Sequence, residues 1–205
     1  METATLNVGI FVFDDVEVLD FAGPYEVFTT ASRVHHRLRP SESPLFHVVL
    51  IGRTRANVRA RAGLTVSVDH DFNSHPGLDV LVVPGGVVAE ELARSEVTEW
   101  IATCARSAKL TASVCTGAFL LAKAGLLSGK SATTHWEDIE ELRAAFPGIN
   151  VLTHRRWVDE ETVVTSAGIS AGIDMSLHLV ERLASRELAL KTARQMEFDW
   201  TENSL

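Results

Sequence analysis

Two side chains carry the reactive chemistry in this sequence: Cys115, in "TASVCTGAFLLAKAGLL", and Asp20, in "DDVEVLDFAGP". Leu110, Ala112 and Val114 read as the end of a buried strand, whereas Ala118, Phe119, Ala122 and Leu126 recur at helical spacing, so Cys115 falls on the junction. Such a junction is a tight turn that lifts its side chain off the sheet, beside the free backbone N–H groups of a new helix. A helix N-terminus favours the thiolate, the nucleophilic form of cysteine. The other reading of Cys115, a small buried hydrophobe, stands equally at this point. Asp20 is likewise either a carboxyl group that passes a proton or the N-cap of a following helix. Gly85 and Gly86, in "VVPGG", form a tight turn or bring backbone close to a ligand.

The elements that must position these residues follow from periodicity. Residues 7–13 ("NVGIFVF"), 46–52 ("FHVVLIG") and 78–86 ("LDVLVVPGG") contain compact apolar runs with turn signals behind them, as buried parallel strands do. A helix is expected from near Gly23 and Pro24, with Val27 and Phe28 inward, then a loop over residues 34–44. Alternation around Ala62 and Gly63 indicates a two-stranded excursion. A helix carrying Trp100, the strand before Cys115, shorter strands at "SATTHW" and "ETVVTSAG", and a helical last third complete the pattern. Alternating strands and helices mean an α/β fold with a mainly parallel sheet, in one domain over residues 1–205. In such sheets ligands bind beyond the carboxyl ends of the strands, which is where Asp20, Gly86 and Cys115 would converge.

Composition removes several function classes. The formal net charge is −8 with Lys and Arg scattered, so nucleic acid is an unexpected partner; a small-molecule substrate is expected instead. No apolar run approaches the roughly 20 residues that span a bilayer, and the N-terminus lacks a basic leader, so a cytoplasmic location and no membrane contact are expected. Two cysteines make no disulfide framework, and Cys104, on the face of the Trp100 helix, shows no activating neighbour in sequence. No set of His, Cys and carboxylate residues has zinc spacing, so no metal is expected, and no other cofactor is implied. A Cys–His pair would have to recruit His135, from "ATTHW", out of another element.

The motifs "VLDFAGP", "VVPGG", "SVCTGAFLLAKAGLLSGKSATTHW" and "TSAGISAGIDMSLHLV" together resemble the ThiJ/PfpI superfamily over nearly the whole chain, and most of all its isocyanide (isonitrile) hydratase branch. The resemblance implies a flavodoxin-like three-layer sandwich with a nucleophile elbow, and a homodimer. It implies Cys115 as nucleophile, Asp20 as acidic partner, and Gly85, Gly86 and Thr116 beside the reacting atom, with His135 as a supporting neighbour. The implied reaction adds water to an isocyanide, giving an N-substituted formamide through a cysteine thioimidate. Thr116 stands where the protease-like branch has histidine, which points away from proteolysis. Two other roles of the superfamily are the ligand-sensing half of AraC-type transcription regulators and a stress-response glyoxalase or deglycase. Against the first, the sequence stops at "MEFDWTENSL", without room for a helix-turn-helix domain.

Overall fold

The computed structural model describes residues 4–203. The strands are β1 (Leu6–Phe11), β2 (Phe46–Gly52), β3 (Val58–Arg59), β4 (Thr65–Val66), β5 (His70–Asp71), β6 (Val80–Val83), β7 (Leu110–Val114), β8 (Ser131–Ala132), β9 (Asn150–Val151), β10 (Trp157–Glu160) and β11 (Val163–Ser166). The α-helices are α1 (Val18–Leu38), α2 (Ala89–Ala93), α3 (Ser95–Ser107), α4 (Gly117–Lys123), α5 (Ile139–Ala145), α6 (Ala171–Leu183) and α7 (Arg186–Gln195).

Valine-rich β6 and, beside it, β7 are buried at every position, because a parallel strand inside a sheet is covered by helices on both faces. They lie near the centre of a seven-stranded sheet of order β10-β11-β7-β6-β1-β2-β5. Each neighbouring pair is parallel except β10 and β11, which pair antiparallel from Trp157↔Ser166 to Glu160↔Val163. α1, α6 and α7 pack together as one covering layer and α2, α3 and α4 as the other, with Phe11, Phe28, Leu81, Leu120 and Met175 fully buried between. This is the expected α/β three-layer sandwich. The chain begins mid-sheet at β1, builds outward through β2 to β5, then returns to β6 and builds the other way. That reversal opens a crevice at the carboxyl ends of β1 and β6.

The first helix departs from the sequence expectation at both ends. It starts at Val18, so Pro24 lies inside it, where its missing N–H leaves the carbonyl of Asp20 without its helical donor. The early start has a local cause: Val16 bridges to Gly86 and the Glu17 N–H donates to the Gly85 carbonyl at 2.9 Å, so the chain is pinned to the end of β6 before it coils. Glu17 is therefore the N-cap, and Asp20 sits in the first turn with its side chain free for another purpose. The helix also continues to Leu38, into the stretch expected to be loop. β10 and α5 went unread in the sequence, since a four-residue edge strand and a two-turn helix bury too few positions to leave a period.

Past α7 the chain folds back along the sheet edge. Trp200 Nε1 donates to the Asp174 carbonyl at 3.1 Å, the Thr201 N–H to Asp174 Oδ1 at 2.8 Å, and Asn203 Oδ1 accepts the N–H groups of Arg156 and Trp157. Fully buried Asp174 also pairs with Arg156, whose Nε lies 2.8 Å from Oδ2. Among the described residues no helix is long and apolar enough to cross a membrane.

Candidate active site

Between β7 and α4 the backbone turns on one residue. Cys115 has φ +56°, a left-handed conformation that costs a non-glycine residue about 1 kcal/mol or more and persists only when its surroundings enforce it. The Cys115 N–H faces the carbonyls of Ser166 and Ala167, each at 3.3 Å, and its own carbonyl accepts the Thr134 hydroxyl at 2.9 Å. Behind it α4 presses onto the end of β6 so closely that a Cβ on Gly117 would stand 2.1 Å from the Val83 carbonyl oxygen. Only glycine fits there, and the approach fixes where the helix begins.

Asp20 reaches the same point from the first turn of α1. It is fully buried, and its Oδ2 accepts the Gly85 N–H at 3.0 Å while Oδ1 has no hydrogen-bond partner. A buried carboxylate is costly, so desolvation dominates and raises Asp20 to a pKa of about 7. The Gly85 N–H, the Cys115 thiol and the Ile169 N–H favour the ionised form but do not overcome burial, and the charge of Glu17 adds to the rise. Cys115 responds the same way. Burial first, and the charge of Asp20 second, push the thiol up to about 12, against the N–H groups of Thr116 and Ile169 that favour the thiolate. The helix effect expected from sequence is thus outweighed: α4 is only seven residues long, and its dipole acts on a sulfur out of water beside a carboxyl group.

The structure brings Cys115, Asp20, Thr116, Gly85 and Gly86 together and gives each a distinct place. The two glycine N–H groups have partners within the protein: Gly85 donates to Asp20, and Gly86 donates to Thr116 Oγ1 at 2.9 Å while that hydroxyl donates to the Gly86 carbonyl at 3.0 Å. Donors aimed at the sulfur are the N–H groups of Thr116 and Ile169. Ile169 also has positive φ, +52°, a conformation no sequence period reveals; the only hint was the turn-rich "TSAGISAG" around it. His135 lies behind the site. Its ring packs so tightly on Gly168 that a Cβ there would come within 2.1 Å of Cδ2, and its Nδ1 is 3.4 Å from Asp138 Oδ2. It thereby supports the 167–169 backbone that faces Cys115.

Cys104 has a neighbour that its sequence context concealed. His75 Nε2 lies 3.9 Å from its sulfur, but that nitrogen accepts the Trp100 indole N–H at 3.0 Å, and burial pushes the thiol to about 11. Among the described residues no group of three or more His, Cys, Asp or Glu side chains is arranged to hold a metal ion.

Other proteins are similar to this chain in sequence and fold. A crystal structure of a ThiJ/PfpI family protein from Pseudomonas syringae superposes with a TM-score of 0.84 at 27% identity, over 98% of this chain and 78% of that one. The isonitrile hydratase of Pseudomonas putida is 34% identical over 196 residues, 94% of this chain and 78% of that protein. The HTH-type transcriptional regulator GbdR of Pseudomonas aeruginosa is 29% identical over 198 residues, and this chain spans 52% of its length. The model of the DJ-1/PfpI family matches residues 7–182, and with that match over most of its length the chain belongs to the DJ-1/PfpI family.

Proposed function

We propose that this chain is a cysteine-dependent hydratase that adds water to an isocyanide and releases an N-substituted formamide. The observation that carries the reading is the buried thiol–carboxyl pair, in which the acid titrates near neutrality and so can take up and return one proton in a cycle. Asp20 takes the thiol proton as Sγ bonds to the terminal isocyanide carbon, then delivers that proton to the same carbon, leaving a thioimidate. Water adds to the thioimidate carbon as Asp20 takes one of its protons and passes it to nitrogen; the C–S bond then breaks as the carbon-bound hydroxyl becomes the formamide carbonyl, its proton passing through Asp20 to sulfur, so the thiol is restored and the formamide leaves. The N–H groups of Thr116 and Ile169 are placed to stabilise charge on sulfur during the attack and the departure. The similarity to isonitrile hydratase supports this reaction. The family resemblance supports a homodimer.

Similarity to a regulator over about half of that protein's length favours a second reading, ligand sensing. A sensor needs a pocket but no acid poised to carry a proton, so turnover separates the two. Purified protein incubated with phenyl isocyanide should yield formanilide, and Cys115→Ser should yield none. Consumption of glyoxal with no formanilide would move the assignment to the glyoxalase-like alternative, and inertness toward both would leave sensing.

A further inference from the structure

A cavity of about 180 Å³ lies at the carboxyl ends of β1 and β2, and no residue of the Cys115 site lines it. Val12 and Phe13, which follow β1, give it an apolar wall, and its charged groups are of both signs: Asp14 and Glu91, Arg53 and Arg94. The volume of 180 Å³ is that of about six water molecules at roughly 30 Å³ each. A molecule of about that many non-hydrogen atoms fits, and one that adds a ring does not.

Glu91 supplies an unsatisfied group on the wall. It is 5% exposed, and its Oε1 pairs with Arg94, whose Nη2 also donates to Glu90 at 2.8 Å. Its Oε2 is buried without a hydrogen-bond partner. A buried acceptor without a donor is costly, and folded proteins leave few of them. Desolvation accordingly raises the Glu91 pKa, against the charges of Arg94 and Arg53. Of the two cations, Arg94 is committed to Glu90 and Glu91, whereas Arg53 is held by Glu96 at 3.4 Å, both side chains about half exposed, so a ligand can compete for it. Asp14 is anchored beside them, its Oδ1 accepting the Arg59 N–H at 2.7 Å. A plain anion in this space meets two carboxylates, and a plain cation meets two guanidinium groups. A molecule that carries both charges a few bonds apart satisfies both signs.

We propose that this cavity binds a small zwitterionic amino acid, its ammonium group donating to Glu91 Oε2 and its carboxylate meeting the Arg53 guanidinium. The site concerns binding alone and stands whether or not Cys115 hydrates isocyanides.

Calorimetric titration of the full chain with L-alanine tests this against ethylamine, which has the ammonium alone, propionate, which has the carboxylate alone, and L-phenylalanine, which has both and adds a ring. Alanine should bind saturably at millimolar concentration and at least about tenfold more tightly than the other three, the scale of one charge-assisted hydrogen bond. Arg53→Gln changes an exposed side chain, so it should melt near the parent temperature while weakening alanine about tenfold. Glu91→Gln should weaken alanine by at least as much; it also releases Arg94, so its melting is followed alongside, and Arg53→Gln decides the matter if that protein unfolds. No saturable heat with alanine, equal binding of ethylamine or propionate, or unchanged affinity in Arg53→Gln overturns the proposal. Phenylalanine binding as tightly as alanine overturns it too, since the amino acid would then lie outside this cavity.

Discussion

Asp20 and Cys115 each hold a proton longer than they would in water, and the two shifts make linked predictions. Asp20 titrates near 7 in the fold against 3.8 in the unfolded chain. The folded state therefore binds the proton more tightly, and this contribution to stability is fully present below about pH 4 and is lost as pH rises to 7. Three pH units of difference correspond to an order of 4 kcal/mol across that window. Asp20→Asn removes this pH dependence, so its urea midpoint should change less between pH 4 and 8 than the parent's and should match or exceed the parent's at pH 8. Turnover should move the other way and fall about 10²- to 10⁴-fold, the usual share of a general acid or base. The Cys115 thiol, relieved of a neighbouring negative charge, should titrate lower in Asp20→Asn, which iodoacetamide labelling against pH measures. An unchanged labelling profile would mean that Asp20 does not act on the sulfur. Slower alkylation of Cys115 than of Cys104 in the parent would fit the two acidities, about 12 and about 11, and would correct the expectation that a helix start makes Cys115 the faster thiol.

At the scale of elements, the site depends on how closely α4 approaches the end of β6. Gly117→Ala would set a methyl group 2.1 Å from the Val83 carbonyl oxygen and 2.8 Å from that of Pro84, and neither backbone atom can yield without moving its strand. Overpacking of this kind costs about 1–3 kcal/mol, and it would also displace Thr116, whose hydroxyl holds Gly86. Gly117→Ala should therefore lower both the denaturation midpoint and turnover. Gly148→Ala, at a position with nothing within 4 Å, should lower neither. Equal loss in the two variants would show that α4 tolerates withdrawal from the sheet. The junction itself was legible in "SVCTGAF", because the period changes from strand to helix across Cys115. The starting point of α1 was not, because it is set by Val16 and Glu17 pairing with the β6 end, some 70 residues away in sequence.

Across the whole molecule, Asp174 joins the last helical layer, the edge strand and the C-terminal segment. Its carboxylate is buried, paired with Arg156, and bonded to the Thr201 N–H. Removing one partner from a buried ion pair costs about 3–5 kcal/mol, because the other charge is left without compensation. Asp174→Asn should accordingly lower the urea midpoint by that order, and trypsin should cut near the C-terminus faster than in the parent. An unshifted midpoint would mean that Arg156 finds water or another carboxylate instead. The proposed homodimer predicts a light-scattering mass of twice 22.4 kDa at micromolar concentration; a mass of 22.4 kDa would refute it.

Local pattern was enough to specify the fold class. Valine-rich runs such as "VLVV" have no polar face to offer water, so they read as central parallel strands whatever surrounds them. It also singled out Cys115 and Asp20, because each stands where an apolar run turns toward a helix. What those two groups do to each other was decided by tertiary structure alone. Acidity depends on burial and on charges a few ångströms away, and Asp20, Gly85, Cys115 and Ile169 come from four separate stretches of chain. Sequence therefore read a helix start that should acidify a thiol. Folding placed that thiol out of water beside a carboxyl group, and desolvation, the larger effect, raised the pKa of both groups.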